Sequence, residues 1–89
     1  MEFEWHSEKS VKNKQSHGVS FDEATLIWQE PHIDIINIAY AKNEYRSATM
    51  GKIFGRLYVA IWTKRNNKIR LISVRRARKN EEKIYNQKI

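Results

Sequence analysis

Between Arg70 and Asn80 the chain reads RLISVRRARKN, which places Arg70, Arg75, Arg76, Arg78 and Lys79 within one short run. Arginine outnumbers lysine there, and the two differ chemically: a planar guanidinium can hold two phosphate oxygens at once, whereas an ammonium acts as a point charge. Guanidinium groups gathered around one phosphodiester also favour the negative charge that builds on it as a bond breaks. Arg70 and Arg75 are the candidates for that task, against the plainer roles of ion pairing or solvated charge. Arg76, Arg78 and Lys79 suit the positioning of a backbone better than action upon it.

Proton transfer needs a partner group. His17 follows Lys14 by three residues and Ser10 by seven, so the three share one side of a helix. A histidine there can move a proton near neutrality, or complement the exposed carbonyls of the helix end. Tyr85 could donate a proton, stack on a base, or sit in the core with its hydroxyl at the rim. His6 and His32 occupy plainer positions at a strand end and in a loop. The acidic residues are scattered singly or as neighbours, which does not converge them on a cation, and no metal site is expected. Neither a phosphate-cradling glycine loop nor a dinucleotide or HExxH motif occurs, so no cofactor is expected. Transesterification of RNA fits that inventory, because the substrate's own 2′-hydroxyl attacks and the protein supplies a base, an acid and positive charge.

The elements that must position these groups follow from periodicity. Phe3 and Trp5 alternate with polar residues as a short strand would, and Ser7 is a candidate N-cap for a helix to about Ser16, stopped by Gly18. That helix has one large apolar residue, Val11, so most of its surface should face water or a ligand. Ser20 and Glu23 form a capping box with Val19 placed to staple onto Ala24. Phe21, Ala24, Ile27 and Trp28 then share a face of a second helix, ended near Gln29 by Pro31. Four short segments rich in β-branched and aromatic residues follow: Ile33–Tyr40, Glu44–Met50, Arg56–Thr63 and Ile69–Arg75. Gly51 and Gly55 read as a hairpin signal between two of them. Their short links favour an antiparallel meander, and Asn80 can cap a last helix with Ile84 and Tyr85, and Ile89 beyond, facing inward. The expected fold is α+β: a four-stranded antiparallel meander, with a short N-terminal strand as a further element, two N-terminal helices and a C-terminal helix. In the strand after Lys68, simple alternation puts Arg70 and Arg75 on opposite faces.

At 89 residues this is one domain. It has no cysteine, which excludes disulfides and suits a reducing cytosol. Its acidic start lacks the basic and apolar regions of a signal peptide, and no apolar stretch approaches membrane-spanning length, so a cytoplasmic protein is expected. Net charge is +7, unevenly spread: residues 1–44 carry four Lys/Arg and eight Asp/Glu, residues 45–89 carry thirteen and two. No acidic residue occurs from Tyr45 to Asn80. An unbroken positive field of that kind attracts polyanions, although a basic face with no dedicated ligand would look the same in sequence.

FEWH, KNKQSHGVSFDEA, Arg46, Gly51, GRLYVAIWT and RLISVRRARKNEEKIY, in this order and spacing, resemble the BrnT toxins of bacterial type II toxin–antitoxin systems. His6 and Ser16 stand where that family usually has an aspartate and often a lysine. The resemblance implies a RelE-like fold and a metal-independent endoribonuclease that inhibits translation and growth. It also implies a BrnA-type antitoxin with a ribbon-helix-helix domain, through which alone the pair would meet operator DNA. On that basis Arg70 and Arg75 would stabilise the transition state, with His17 or Tyr85 in proton transfer. Lys14, Arg46, Arg56, Arg76, Arg78 and Lys79 would hold RNA. The alternatives are a noncatalytic nucleic-acid-binding domain, and a basic surface that serves chiefly as a groove for an acidic antitoxin segment.

Overall fold

The computed structural model describes residues 1–89. Phe3–Glu4 form β1, Ser7–His17 α1 and Phe21–Ala24 α2, which tightens into a 3₁₀ segment over Thr25–Gln29. Then come β2 (Ile33–Ala41), β3 (Glu44–Ile53), β4 (Arg56–Arg65), β5 (Lys68–Arg76) and α3 (Lys79–Lys88). Each hairpin closes on two residues with positive φ: Lys42 and Asn43 (51° and 63°), Phe54 and Gly55 (50° and 82°), Asn66 and Asn67 (53° and 64°). A two-residue turn of that hand matches the twist of the strands it joins, which makes β2 to β5 an antiparallel meander.

The sheet has five strands rather than the four of the meander, in the order β1-β5-β4-β3-β2. β1 runs parallel to β5, with Phe3 opposite Ile69 and Glu4 opposite Arg70, and the Ile69 amide donates to the Glu2 carbonyl at 2.9 Å. Farther along the same edge, Asn13 of α1 takes the place of a neighbouring strand. Its side-chain oxygen accepts from the Val74 amide at 3.0 Å, and its Nδ2 donates to the Val74 and Val19 carbonyls at 2.9 Å each. The edge that would otherwise expose unpaired backbone is thereby closed.

That arrangement inverts the burial of α1. Ser10 and Asn13 are buried, Ser10 accepting from the Phe21 amide at 2.9 Å, while Val11 is 59% exposed. The N-cap is His6, not Ser7, and its side chain makes no capping bond; Gly18 ends the helix at φ 83°. The capping box of Ser20 and Glu23 forms, but the helix it starts stays α-helical for only four residues. Thr25 Oγ1 donates back to the Asp22 carbonyl at 2.8 Å where the winding tightens.

The main core lies between the helices and one face of the sheet: Phe21, Ala24 and Ile27 against Tyr58, Ala60, Leu71 and Val74. A smaller cluster of Ala48, Met50 and Val59, with Ile61 and Ala77 beside it, occupies the other face. Leu71 and Val74 both reach the main core although three residues separate them, because β5 carries a bulge. Ile61 pairs with Ser73 while Trp62 pairs with Leu71, so Ile72 is extra and the alternation flips. The expected alternation is thus corrected: Arg70 and Arg75 lie on the same face, opposite the main core. α3 begins one residue after its N-cap Arg78 rather than at Asn80, since the Glu81 carboxylate accepts from the Arg78 amide at 2.7 Å. Tyr85 is buried, whereas Ile84 and Ile89 are not its inward partners, being 38% and 58% exposed. No helix is long and apolar enough to cross a membrane.

Candidate functional site

The cations of the second half of the chain fall into two groups, those held by carboxylates and those that are not. Arg75 donates to both oxygens of Glu81, at 2.8 and 2.9 Å, joining the end of β5 to the first turn of α3. The hydrogen-bonded Glu81 holds the Arg75 guanidinium above its ordinary value, and Arg75 in turn holds the Glu81 carboxyl below the usual carboxylate range. Arg70 donates to Glu4 of β1 at 3.1 Å. Although the bulge puts Arg70 and Arg75 on one face, five positions at about 3.3 Å each leave their backbones roughly 15 Å apart. Each is instead committed to a carboxylate of its own, Arg70 to Glu4 and Arg75 to Glu81. Lys14 is paired with Glu23 at 2.8 Å, which lowers that carboxyl.

Lys52, Arg56 and Arg76 have no such partner and line one cleft of about 280 Å³. Lys52 and Leu57 are cross-strand neighbours near the end of the β3–β4 hairpin, Arg56 opens β4, and Arg76 closes β5 opposite Tyr58, over whose ring its guanidinium carbon sits 5.6 Å from the centroid. α3 supplies the opposite wall with Glu82, Tyr85 and Asn86, which share a helix side by their spacing of three and four. The Tyr85 hydroxyl donates to the Pro31 carbonyl at 2.8 Å, so its ring is anchored where it meets the cleft.

The expected site residues are therefore divided among several places. Arg56, Arg76 and Tyr85 come together. His17 lines a different depression, with Lys9, Lys12, Ser16 and Ile72. Arg46 lies partly buried on β3 beside Ala39, its Nε buried without a hydrogen-bond partner. Arg78 and Lys79 are exposed where α3 begins. Lys52, Glu82 and Asn86 are not among the site residues expected from the sequence. Two signals point to them: Lys52 flanks the Phe54–Gly55 turn as Arg56 does, and Glu82 and Asn86 bracket Tyr85 at helical spacing.

In this small α+β domain three cations without carboxylate partners share one cleft with a carboxylate, an amide and the ring of a buried tyrosine, which gives the cleft a positive field of the kind that attracts anions. The chain belongs to the BrnT family, the ribonuclease toxins of type II toxin–antitoxin systems, whose family model matches residues 5–81. No curated protein matches the chain. The family match ends in the first turn of α3, so Glu82, Tyr85 and Asn86 lie just beyond it. Membership implies an antitoxin partner.

Proposed function

We propose that the chain is an endoribonuclease toxin that cuts RNA in the cleft between the β3–β4 hairpin and α3. The observation that carries this is the set of three cations, Lys52, Arg56 and Arg76, left without an ion-pair partner around one depression. In this scheme they grip the scissile phosphate and stabilise the charge it gains. The Glu82 carboxylate takes the proton of the 2′-hydroxyl, the 2′-oxygen bonds to phosphorus, and the 5′-oxygen leaves with a proton from Lys52. The products are a 2′,3′-cyclic phosphate and a free 5′-hydroxyl. Asn86 orients the ribose, the buried Tyr85 ring backs that wall of the cleft, and Arg70 and Arg75 brace β1 and α3 against β5. His17, Lys14, Arg46, Arg78 and Lys79 lie outside the cleft and serve at most the flanking chain.

The neutralising partner is a BrnA-type ribbon-helix-helix antitoxin, which would carry any contact with operator DNA. The edge strand β2 offers it a surface: Ile36, Ile38 and Tyr40 are 57%, 46% and 60% exposed, and the Tyr40 ring meets the exposed Tyr45 ring at 4.8 Å between centroids. Exposed apolar groups gathered in this way mark protein contacts.

The test is labelled RNA incubated with purified protein in EDTA. Products with cyclic phosphate ends are expected, and Lys52→Ala or Arg76→Ala should each slow their formation by about 100-fold. The same variants should relieve growth arrest in cells without antitoxin. RNA that is bound yet left whole would instead make the chain a noncatalytic binder.

A further inference from the structure

Phe54 stands out in the structure on two independent grounds. It occupies the first position of the β3–β4 turn with φ 50°, a left-handed conformation that disfavours a bulky side chain. Its side chain is also 75% exposed, the most exposed of the large hydrophobic residues after Met1. Asparagine or glycine would relieve both costs, and the other two hairpins of this sheet do carry asparagine at the second of their left-handed positions. Neither the turn nor the core explains a phenyl ring here. The residues around it in the chain do: Lys52, Gly55 and Arg56 all line the cationic cleft. The ring is therefore held out into solvent at the tip of the hairpin whose flanks carry two of the three phosphate-gripping cations.

We propose that Phe54 is a nucleobase-binding residue, stacking on an unpaired base next to the phosphate held by Lys52 and Arg56. This rests on the assignment of the cleft to RNA. An aromatic ring beside a cationic groove is the arrangement by which single-stranded nucleic acid is held, and every base offers a face to stack on. The two-residue turn fixes the backbone from which the ring projects, and the energy of stacking offsets a conformation that the free protein holds at a cost. RNA with splayed bases would be accepted, whereas the buried faces of a duplex would not.

The experiment measures binding to a single-stranded RNA oligomer with 2′-O-methyl groups, which cannot be cut, beside the same oligomer with abasic positions. Phe54→Ala should weaken binding of the intact oligomer by about 10- to 100-fold and leave the abasic oligomer unaffected. Phe54→Trp should bind as wild type. Phe54→Asn, which suits the left-handed position, should raise the melting temperature while losing the same affinity, separating the role from folding. On cleavable RNA the loss should appear in KM with kcat little changed. Equal affinity of wild type and Phe54→Ala for the intact oligomer overturns the proposal, as does a loss confined to antitoxin binding. Since the oligomer is never cleaved, the result decides Phe54 even if Arg76→Ala leaves cleavage intact, the outcome that sinks the catalytic assignment of the cleft.

Discussion

Arg75 illustrates how a side chain suited to phosphate can be committed elsewhere. Its fork meets both oxygens of Glu81, a geometry that a phosphate would have to displace, and the two side chains are only 25% and 18% exposed. The pair ties α3 to β5, and α3 carries a wall of the cleft. Glu81→Gln should therefore lower stability by about 2 kcal/mol, read by urea unfolding, through loss of a charge-assisted bidentate contact. The effect has a pH signature. Glu81 has a folded-state pKa below its ordinary 4.5, so its stabilisation is fully present above about that pH and is lost as pH falls through the lower folded value. Wild type should lose stability in that acidic window, and Glu81→Gln should lose less. Arg75 stays protonated throughout, its pKa being shifted upward.

At the scale of elements, α1 and β3 each contain one residue whose type decides local stability. His6 stands at the N-cap of α1 and offers its first turn no side-chain acceptor. His6→Asp should add about 1 kcal/mol and raise Tm by about 4–8 °C in calorimetry. Gly51 sits inside β3, away from the turn at Phe54 and Gly55, where the 3₁₀ segment crosses the sheet. A Cβ there would stand 2.8 Å from Ile27 Cγ2 and 3.1 Å from the Ile27 carbonyl, the latter being backbone that cannot swing aside. Gly51→Ala should cost about 1–3 kcal/mol in the same measurement. These cases show what could be read beforehand. Alternation placed the four long strands, and the Ser20–Glu23 box placed α2, because both signals are local. The parallel pairing of β1, the polar seam made by Asn13 and the bulge at Ile72 each depend on an element distant in sequence. Missing the bulge set Arg70 and Arg75 on opposite faces, and the carboxylates that bind them, Glu4 and Glu81, could not be matched to them by spacing alone. At the cleft, the sequence marks Arg56 and Arg76 by charge and Tyr85 by type, whereas the grouping of these three with Lys52 and Glu82 depends on a hairpin and a helix facing each other across the fold.

Across the whole molecule, the uneven charge of the two halves is partly resolved by folding. Glu2, Glu4 and Glu44 of the acidic half meet Lys68, Arg70 and Arg65 of the basic half, all around β1 and the two turns at that end of the sheet. The opposite end, where the β3–β4 hairpin meets α3, keeps Lys52, Arg56 and Arg76 free. In the proposed scheme this polarity along the sheet, more than net charge, sets where RNA binds. Each cation that displaces a counterion from single-stranded RNA contributes about −0.7 to the slope of log affinity against log salt, so three give a slope near −2. Arg76→Ala should reduce that slope by about 0.7, measured by titrating uncleavable RNA at several salt concentrations. Arg70→Ala, whose guanidinium is already neutralised by Glu4, should leave the slope unchanged. An equal change for both variants would mean that the RNA senses a diffuse field over the basic half, and the cleft would lose its claim as the binding site.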